Sequence, residues 1–332
     1  MKRKYTVLGA GILLLAFLAW FGAVTGPAGV VLDLPLLLGG QVSKYVVYLV
    51  MGLAELLLIV PVIVYMAIRG ISLKAMLGNR TNPAQNLLAL ALGILMVPAF
   101  SGIDTIFVVL FRLLGAQPMD TSMMEPGDLG QLLAGMVAIG ATAGVVEEPL
   151  FRGVVQRGLG SSLDRRKATI WTALFFSFVH MDVVGAFERF LIGVIFGYMA
   201  WRAGSILPGI LAHAAFNSTA LGLSLLTTKT LPGWEGFFPA LSPELNGIAT
   251  WMLISVPFIA LAVFVYWRFA CVTPASAAWD TKPYVLPGEV KGTHYVPWAL
   301  AGIAVLAGTA LMALIMWLPL SEMMPDMAQF FK

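Results

Sequence analysis

The segment 5–24 has the sequence YTVLGAGILLLAFLAWFGAV, which contains no charged side chain. The hydrocarbon core of a bilayer is about 30 Å thick, and an α-helix needs about 20 apolar residues to cross it. In lipid, every backbone amide and carbonyl group must be paired within the protein, and a helix does this within a single segment. This stretch therefore predicts a transmembrane helix.

The remainder of the chain has the same character. Of its 332 residues, 59% are hydrophobic and 11% are charged, and the mean hydropathy is +0.89. A soluble domain has about 45–50% apolar and about 25% charged residues. The composition therefore excludes a water-soluble globule and a disordered chain. The single cysteine, Cys271, excludes an intrachain disulfide and a cysteine-based zinc cluster.

Nine apolar segments predict helices in the membrane. Two of them, 168–182 and 187–201, are short, and we expect a kink or break in 86–114 near Pro98 and Gly102. The predicted fold class is all-α, a polytopic membrane helix bundle of eight or nine transmembrane helices. The predicted spans are 5–24, 45–68, 86–114, 130–151, 168–182, 187–201, 205–227, 248–268 and 296–318.

The basic residues predict the orientation, because cytoplasmic loops are enriched in Lys and Arg. With a cytoplasmic N-terminus, most of the 20 basic residues fall on the inner side, including a cluster from Arg152 to Lys167. We interpret this cluster as anchoring charge and not as a nucleic-acid site, because it adjoins the membrane without interleaved aromatic residues. Lys2-Arg3-Lys4 before an apolar run is typical of a secretory signal, but the length of that run and the later spans favour an uncleaved first helix.

Ionisable residues inside the predicted spans are candidates for function, since each costs a few kcal/mol or more in mid-membrane. Four acids and two histidines fall there. Neither Glu55 nor Asp104 belongs to a motif, and each could pair with Arg112 or with another helix. The six residues are Glu55, Asp104, Glu147, Glu148, His180 and His213.

Residues 147–152 have the sequence EEPLFR. Neighbouring helical side chains project about 100° apart, so Glu147 and Glu148 cannot face one partner. Glu148 and Arg152 are four residues apart and can form an ion pair, which leaves Glu147 without a local cation. A carboxyl group in an apolar site is suited to act as a base near neutral pH, and Pro149 can bend the helix to admit water. The alternative is that both acids are salt-bridged structural residues.

Two further pairs have helical spacing. Phe176 and His180 share a face, although His180 alone is more typical of a core histidine bonded to a backbone carbonyl. His213 and Asn217 can both donate N–H bonds to one oxygen, and the small residues between them allow another helix or a substrate to approach. The alternative for this pair is a polar contact between helices.

The ordered combination is more specific than any single motif. The sequence resembles the CPBP family of intramembrane proteases, also called the Abi or CAAX prenyl protease 2 family. The resemblance covers about residues 130–225. It divides the chain into N-terminal helices (1–129), a catalytic core (130–227) and C-terminal helices and loops (228–332). The family motifs Glu-Glu-x-x-x-Arg, Phe-x-x-x-His and His-x-x-x-Asn occur as Glu147-Glu148…Arg152, Phe176…His180 and His213…Asn217.

The resemblance implies hydrolysis of a peptide bond at or within the membrane. Glu147 with His180 would activate a water molecule, while His213 with Asn217 would hold the oxyanion. Because Glu147 lies near the inner end of its predicted span, we expect the cavity to open towards the cytoplasm. The supporting residues are Glu148, Arg152 and Phe176.

No cofactor is favoured. Glu147, His180 and His213 could supply the three ligands of an open zinc site. However, the sequence has no His-Glu-x-x-His pair, and Asn217 is a poor zinc ligand. A glutamate-dependent, metal-free hydrolysis is therefore the preferred interpretation, and zinc is the alternative.

Two other functional classes stay open. Buried acids and histidines also occur in proton- or ion-coupled transporters, although no pair of matching halves is found here. A non-catalytic scaffold or immunity-type membrane protein could use the fold alone. For the enzyme, we expect a membrane-associated protein or peptide substrate, with CAAX-type C-terminal processing as one option, and the plasma membrane of a prokaryote as its location.

Overall fold

A computed structural model of the protein describes residues 4–37, 40–116, 121–230, 236–279 and 290–317. These residues form helices and short connections, with no β-strand among them, which confirms the all-α polytopic bundle. Lys2 and Arg3, which precede the predicted uncleaved first helix, lie outside the described ranges. The helices are α1 (Val7–Leu37), α2 (Lys44–Leu57), α3 (Val60–Arg69), α4 (Leu73–Leu77), α5 (Pro83–Leu113), α6 (Leu129–Gly160), α7 (Arg165–Phe178), α8 (Ala186–Ala203), α9 (Leu207–Thr230), α10 (Pro243–Val272) and α11 (Val296–Trp317).

Among the described residues, 7 helical stretches are long and apolar enough to cross a membrane, and the protein is an integral membrane protein. One of them combines α2 and α3, and the others are α1, α5, α6, α9, α10 and α11. The predicted short segments 168–182 and 187–201 correspond to α7 and α8, which have 14 and 18 residues. Helix α7 ends at Phe178, so His180 follows the helix and does not lie within it.

Helix α5 continues through Pro98, so the predicted break is absent from it. The hydroxyl group of Ser255, on α10, accepts a hydrogen bond from the amide of Gly102 at 2.8 Å and donates one to the carbonyl of Pro98 at 2.9 Å. A side chain from a neighbouring helix therefore bridges two backbone groups that pair with each other in a regular α-helix. This bridge also joins α5 closely to α10.

Helix α6 extends to Gly160, beyond the predicted end at residue 151. It contains two π-helical segments, Met136–Ala141 and Pro149–Val155. The second begins at the proline, and its wider turn accommodates a residue that lacks an amide hydrogen. At about 1.5 Å per residue, Glu147 lies roughly 20 Å from the end of α6. The expectation that Glu147 lies near the inner end of its helix is therefore wrong.

Helix α6 packs against α1, α2 and α9, and α7 packs against α8. The contact between α6 and α9 is close at Gly144, where a Cβ atom would lie 2.7 Å from the carbonyl oxygen of Ile210. Small residues thus let the two backbones meet. This packing places the Glu-Glu-x-x-x-Arg motif of α6 beside the His-x-x-x-Asn motif of α9.

Candidate active site

His180 is oriented by the end of α7. The last carbonyl groups of a helix lack partners within the helix. Nδ1 of His180 lies 2.8 Å from the carbonyl oxygen of Phe176. Since a carbonyl oxygen only accepts, Nδ1 carries the hydrogen, and Nε2 of the neutral ring holds a lone pair. Nε2 lies 4.0 Å from Oε1 of Glu147, on α6.

Glu147 and His180 line one cavity of about 80 Å³, together with Glu55 from α2. A cavity of this size holds a few water molecules. The side chains of His180 and Glu147 are 30% and 13% exposed, so the cavity reaches both. Oε2 of Glu147 and Oε1 of Glu55 are buried without a hydrogen-bond partner among the described residues. The remaining wall is apolar and consists of Phe17, Phe21, Leu58, Phe151 and Val179.

The cavity lies deep in the bundle. Phe17, Glu55 and Glu147 come from three membrane-spanning stretches, Val7–Asp33, Lys44–Arg69 and Leu129–Gly160. Each residue is at least roughly 15 Å from the nearer end of its stretch, at about 1.5 Å per residue. The two acids therefore lie far from the ends of their helical stretches.

Glu148 points away from this cavity and forms a separate buried network with Arg152. Both side chains are fully buried, and Nη1 of Arg152 donates to Oε1 of Glu148 at 2.7 Å. Nη2 of Arg152 donates to the carbonyl oxygen of Gly193 at 3.2 Å. The guanidinium group also lies over the ring of Phe176, 4.4 Å from its centroid. The predicted ion pair is confirmed, and the two adjacent glutamates face different partners as predicted.

His213 belongs to this second network. Its Nδ1 lies 3.2 Å from Oε1 of Glu148. An ionised carboxylate only accepts, so Nδ1 donates, and Nε2 can then donate only in the imidazolium form. The ring packs between Phe176 and Phe196, with centroids 5.8 and 5.5 Å away. Gly209 leaves room for the carboxylate, since a Cβ atom there would lie 2.6 Å from Oε2 of Glu148.

Phe176 joins the two groups, because its ring contacts both His180, at 5.4 Å, and His213. Asn217 lies farther along α9, where Nδ2 donates to the carbonyl oxygen of Ile139 at 3.3 Å. His213 and Asn217 are not among the residues that line the cavity of Glu147 and His180. The structure therefore places Glu147 and His180 together on the cavity, and places Glu148, Arg152 and His213 in a neighbouring buried network.

The zinc alternative does not fit this arrangement. Within the described part of the chain, no three His, Cys, Asp or Glu side chains are grouped to hold a metal ion. His213 is not among the residues that line the cavity of Glu147 and His180. The predicted ligand set Glu147, His180 and His213 is thus not assembled, and we derive no step through a metal.

Sequence reasoning left Glu55 without a role, although its position in an apolar segment marked it as unusual. Asp182, two residues after His180, accepts a hydrogen bond from Arg189 at 2.8 Å. Phe196 contacts His213, and the Gly193 carbonyl accepts from Arg152. Neither contact could be predicted from the sequence, because both arise from the packing of α8 against α6 and α9.

The family model described as "Type II CAAX prenyl endopeptidase Rce1-like" matches residues 129–219. The matched segment contains all three motifs, and the match confirms the predicted family resemblance. It favours the peptidase interpretation over the transporter and scaffold interpretations. No curated protein and no solved structure matches the chain.

Proposed function

We propose that this protein, a member of the CPBP family, is an intramembrane endopeptidase in which Glu147 and His180 activate the attacking water. One observation carries the proposal: a carboxylate on α6 and an imidazole after α7 lie 4.0 Å apart on one deep cavity. A general base must be within hydrogen-bond reach of the water it deprotonates.

The geometry suits a bridging water. A water molecule about 2.8 Å from both Oε1 of Glu147 and Nε2 of His180 can donate one hydrogen to each. Its lone pairs then face the scissile carbonyl carbon. As the oxygen attacks, Glu147 takes the proton, and His180 holds the water in place through its lone pair.

His213 and Asn217 are proposed as the oxyanion donors. The imidazolium form of His213 donates through Nε2, while the bond from Nδ1 to Glu148 keeps the ring oriented. Arg152 bonds to the same oxygen of Glu148 and so holds in place the carboxylate that orients His213. The amide of Asn217 would release the Ile139 carbonyl when substrate enters.

The proposed substrate is a membrane-associated protein or peptide, processed near a CAAX-type C-terminus. The apolar residues around the cavity, Phe17, Phe21 and Phe151 among them, suit a substrate that arrives from the lipid phase. The proposed location is the plasma membrane of a prokaryote.

The test uses the full chain in lipid nanodiscs and an internally quenched, farnesylated peptide that ends in a CAAX sequence. We expect cleavage by the wild type and a loss of about 10²–10⁴-fold in kcat for Glu147→Gln. The matched control is Glu188→Gln, because Glu188 is also a partly buried helical acid but lies away from the cavity.

Cleavage lost in Glu147→Gln and retained in Glu188→Gln supports the proposal. Wild-type protein that leaves the peptide intact would overturn CAAX-type processing. Equal activity of Glu147→Gln and wild type would overturn the role of Glu147. Comparative proteomics of membrane peptides from cells with wild type or Glu147→Gln would identify natural substrates by the C-terminal fragments that disappear.

A further inference from the structure

We propose that Glu55 is a second catalytic carboxyl group, the general acid that protonates the leaving amine. This inference rests on the proposed function above. Glu55 lies on α2, outside the matched segment 129–219 and outside all three motifs.

The position of Glu55 supports this role. Its side chain lines the same cavity as Glu147 and His180. Oε1 of Glu55 is buried and has no hydrogen-bond partner within the described residues. A buried polar atom without a partner destabilises the fold, so its retention in an apolar helix calls for a reason. A group that meets the substrate in this cavity supplies one.

The carboxyl groups of Glu55 and Glu147 line the same small cavity. Two carboxylates in one small apolar cavity cannot both be ionised at low cost, so such a pair shares one proton. Arg152 does not directly compensate a negative charge on Glu55 or Glu147, because its Nη1 is bound to Glu148. The pair therefore contains one base and one acid, which is what peptide hydrolysis needs.

His180 is poorly suited to be the acid. Its Nδ1 hydrogen is committed to the carbonyl oxygen of Phe176, and Nε2 of the neutral ring has no hydrogen to give. Among the groups that line the cavity, Glu55 is the one left to donate a proton while Glu147 accepts one.

Water loses a proton to Glu147, and its oxygen forms a bond with the carbonyl carbon. The carbon–nitrogen bond then breaks as the Glu55 carboxyl group gives its proton to the nitrogen. The products are a carboxylic acid and an amine. Transfer of the proton from Glu147 to Glu55 through cavity water restores the starting state.

Changing the leaving group of the substrate tests whether Glu55 acts as a general acid or has only a structural role. One probe is the farnesylated peptide with its scissile amide. The other has a thioester at the same bond, whose thiolate leaves without a proton donor because thiols have a pKa of about 8.5. Full-length wild type, Glu55→Gln, Glu147→Gln and the control Glu188→Gln are compared in the same nanodiscs.

For Glu55→Gln, we expect kcat on the amide to fall by about 10²–10⁴-fold and kcat on the thioester by less than about tenfold. Glu147→Gln should lose both reactions, and Glu188→Gln should retain both. Glu55→Asp, which keeps a carboxyl group, should recover amide cleavage relative to Glu55→Gln and provides the test if the glutamine variant does not fold.

Several outcomes would overturn the role of Glu55 alone. These are full amide cleavage by Glu55→Gln, equal losses on both probes, or no advantage of Glu55→Asp over Glu55→Gln, in each case with Glu147→Gln inactive. An active Glu147→Gln would overturn the proposed function itself, and a wild type that cleaves neither probe would overturn CAAX-type processing.

Discussion

Replacing Arg152 with methionine removes the cation that compensates Glu148 inside the bundle. Arg152 is fully buried, and its guanidinium group donates to Glu148 at 2.7 Å and to the Gly193 carbonyl at 3.2 Å. Methionine has a similar length but no donor. Within the described part of the chain, the substitution therefore leaves a buried carboxylate with the His213 imidazole as its one remaining partner.

The size of the effect follows from that burial. Removing one partner of a buried ion pair costs about 3–5 kcal/mol, because an uncompensated charge stays behind. We expect Arg152→Met to lower the free energy of unfolding by that amount. If Glu148→Gln is added, no charge is left uncompensated, and at least half of the loss should return.

The assay is thermal unfolding in one detergent, followed by tryptophan fluorescence. A loss of this size corresponds to a fall in Tm of roughly 5–15 °C. Arg268→Met is the matched control, because Arg268 is exposed on α10 and should leave Tm unchanged. The reasoning would be refuted if Arg152→Met unfolded at the wild-type temperature, or if the double variant were less stable than Arg152→Met.

Three further predictions concern the site. Gly209→Ala places a Cβ atom 2.6 Å from Oε2 of Glu148, and displacement of this carboxylate should lower kcat by about tenfold or more. The control is Gly222→Ala on the same helix, where a Cβ atom meets nothing within 4 Å and kcat should not change. Equal activity of the two variants would contradict the packing argument. Asn217→Ala should lower kcat by about 10²–10³-fold with little change in KM, and a loss confined to KM would argue against an oxyanion role. Treatment with a zinc chelator followed by its removal should leave peptide cleavage unchanged, whereas inactivation that added zinc reverses would favour the metal alternative.

Several features of the fold and site could be predicted from the sequence. The bilayer restricts spanning segments in both length and composition, so the apolar segments alone predicted a helical membrane bundle. The ion pair of Glu148 with Arg152 was predictable because residues four apart on a helix are neighbours whatever surrounds them. The same helical geometry explains why the side chains of Glu147 and Glu148 point in different directions.

Other features were beyond local rules. Pro149 indicated a bend, but nothing in the sequence indicated that α6 continues to Gly160 through a π-helical segment. Pro98 indicated a kink or a break; α5 has no break there, and Ser255 of α10 bonds to the Gly102 amide and to the Pro98 carbonyl. In both cases the outcome depends on how the neighbouring turns and helices pack, which local sequence does not define.

The kinds of groups available for chemistry were thus determined by the sequence, since an acid or histidine in an apolar segment is recognisable by composition alone. Which of them meet was decided only by the tertiary structure. Glu55 joins Glu147 and His180 although it is distant from both in the chain, while His213 turns to Glu148. The physical reason is that side chains on different helices share a cavity only when the helices pack in a particular register, and that register depends on close contacts such as Gly144 against Ile210.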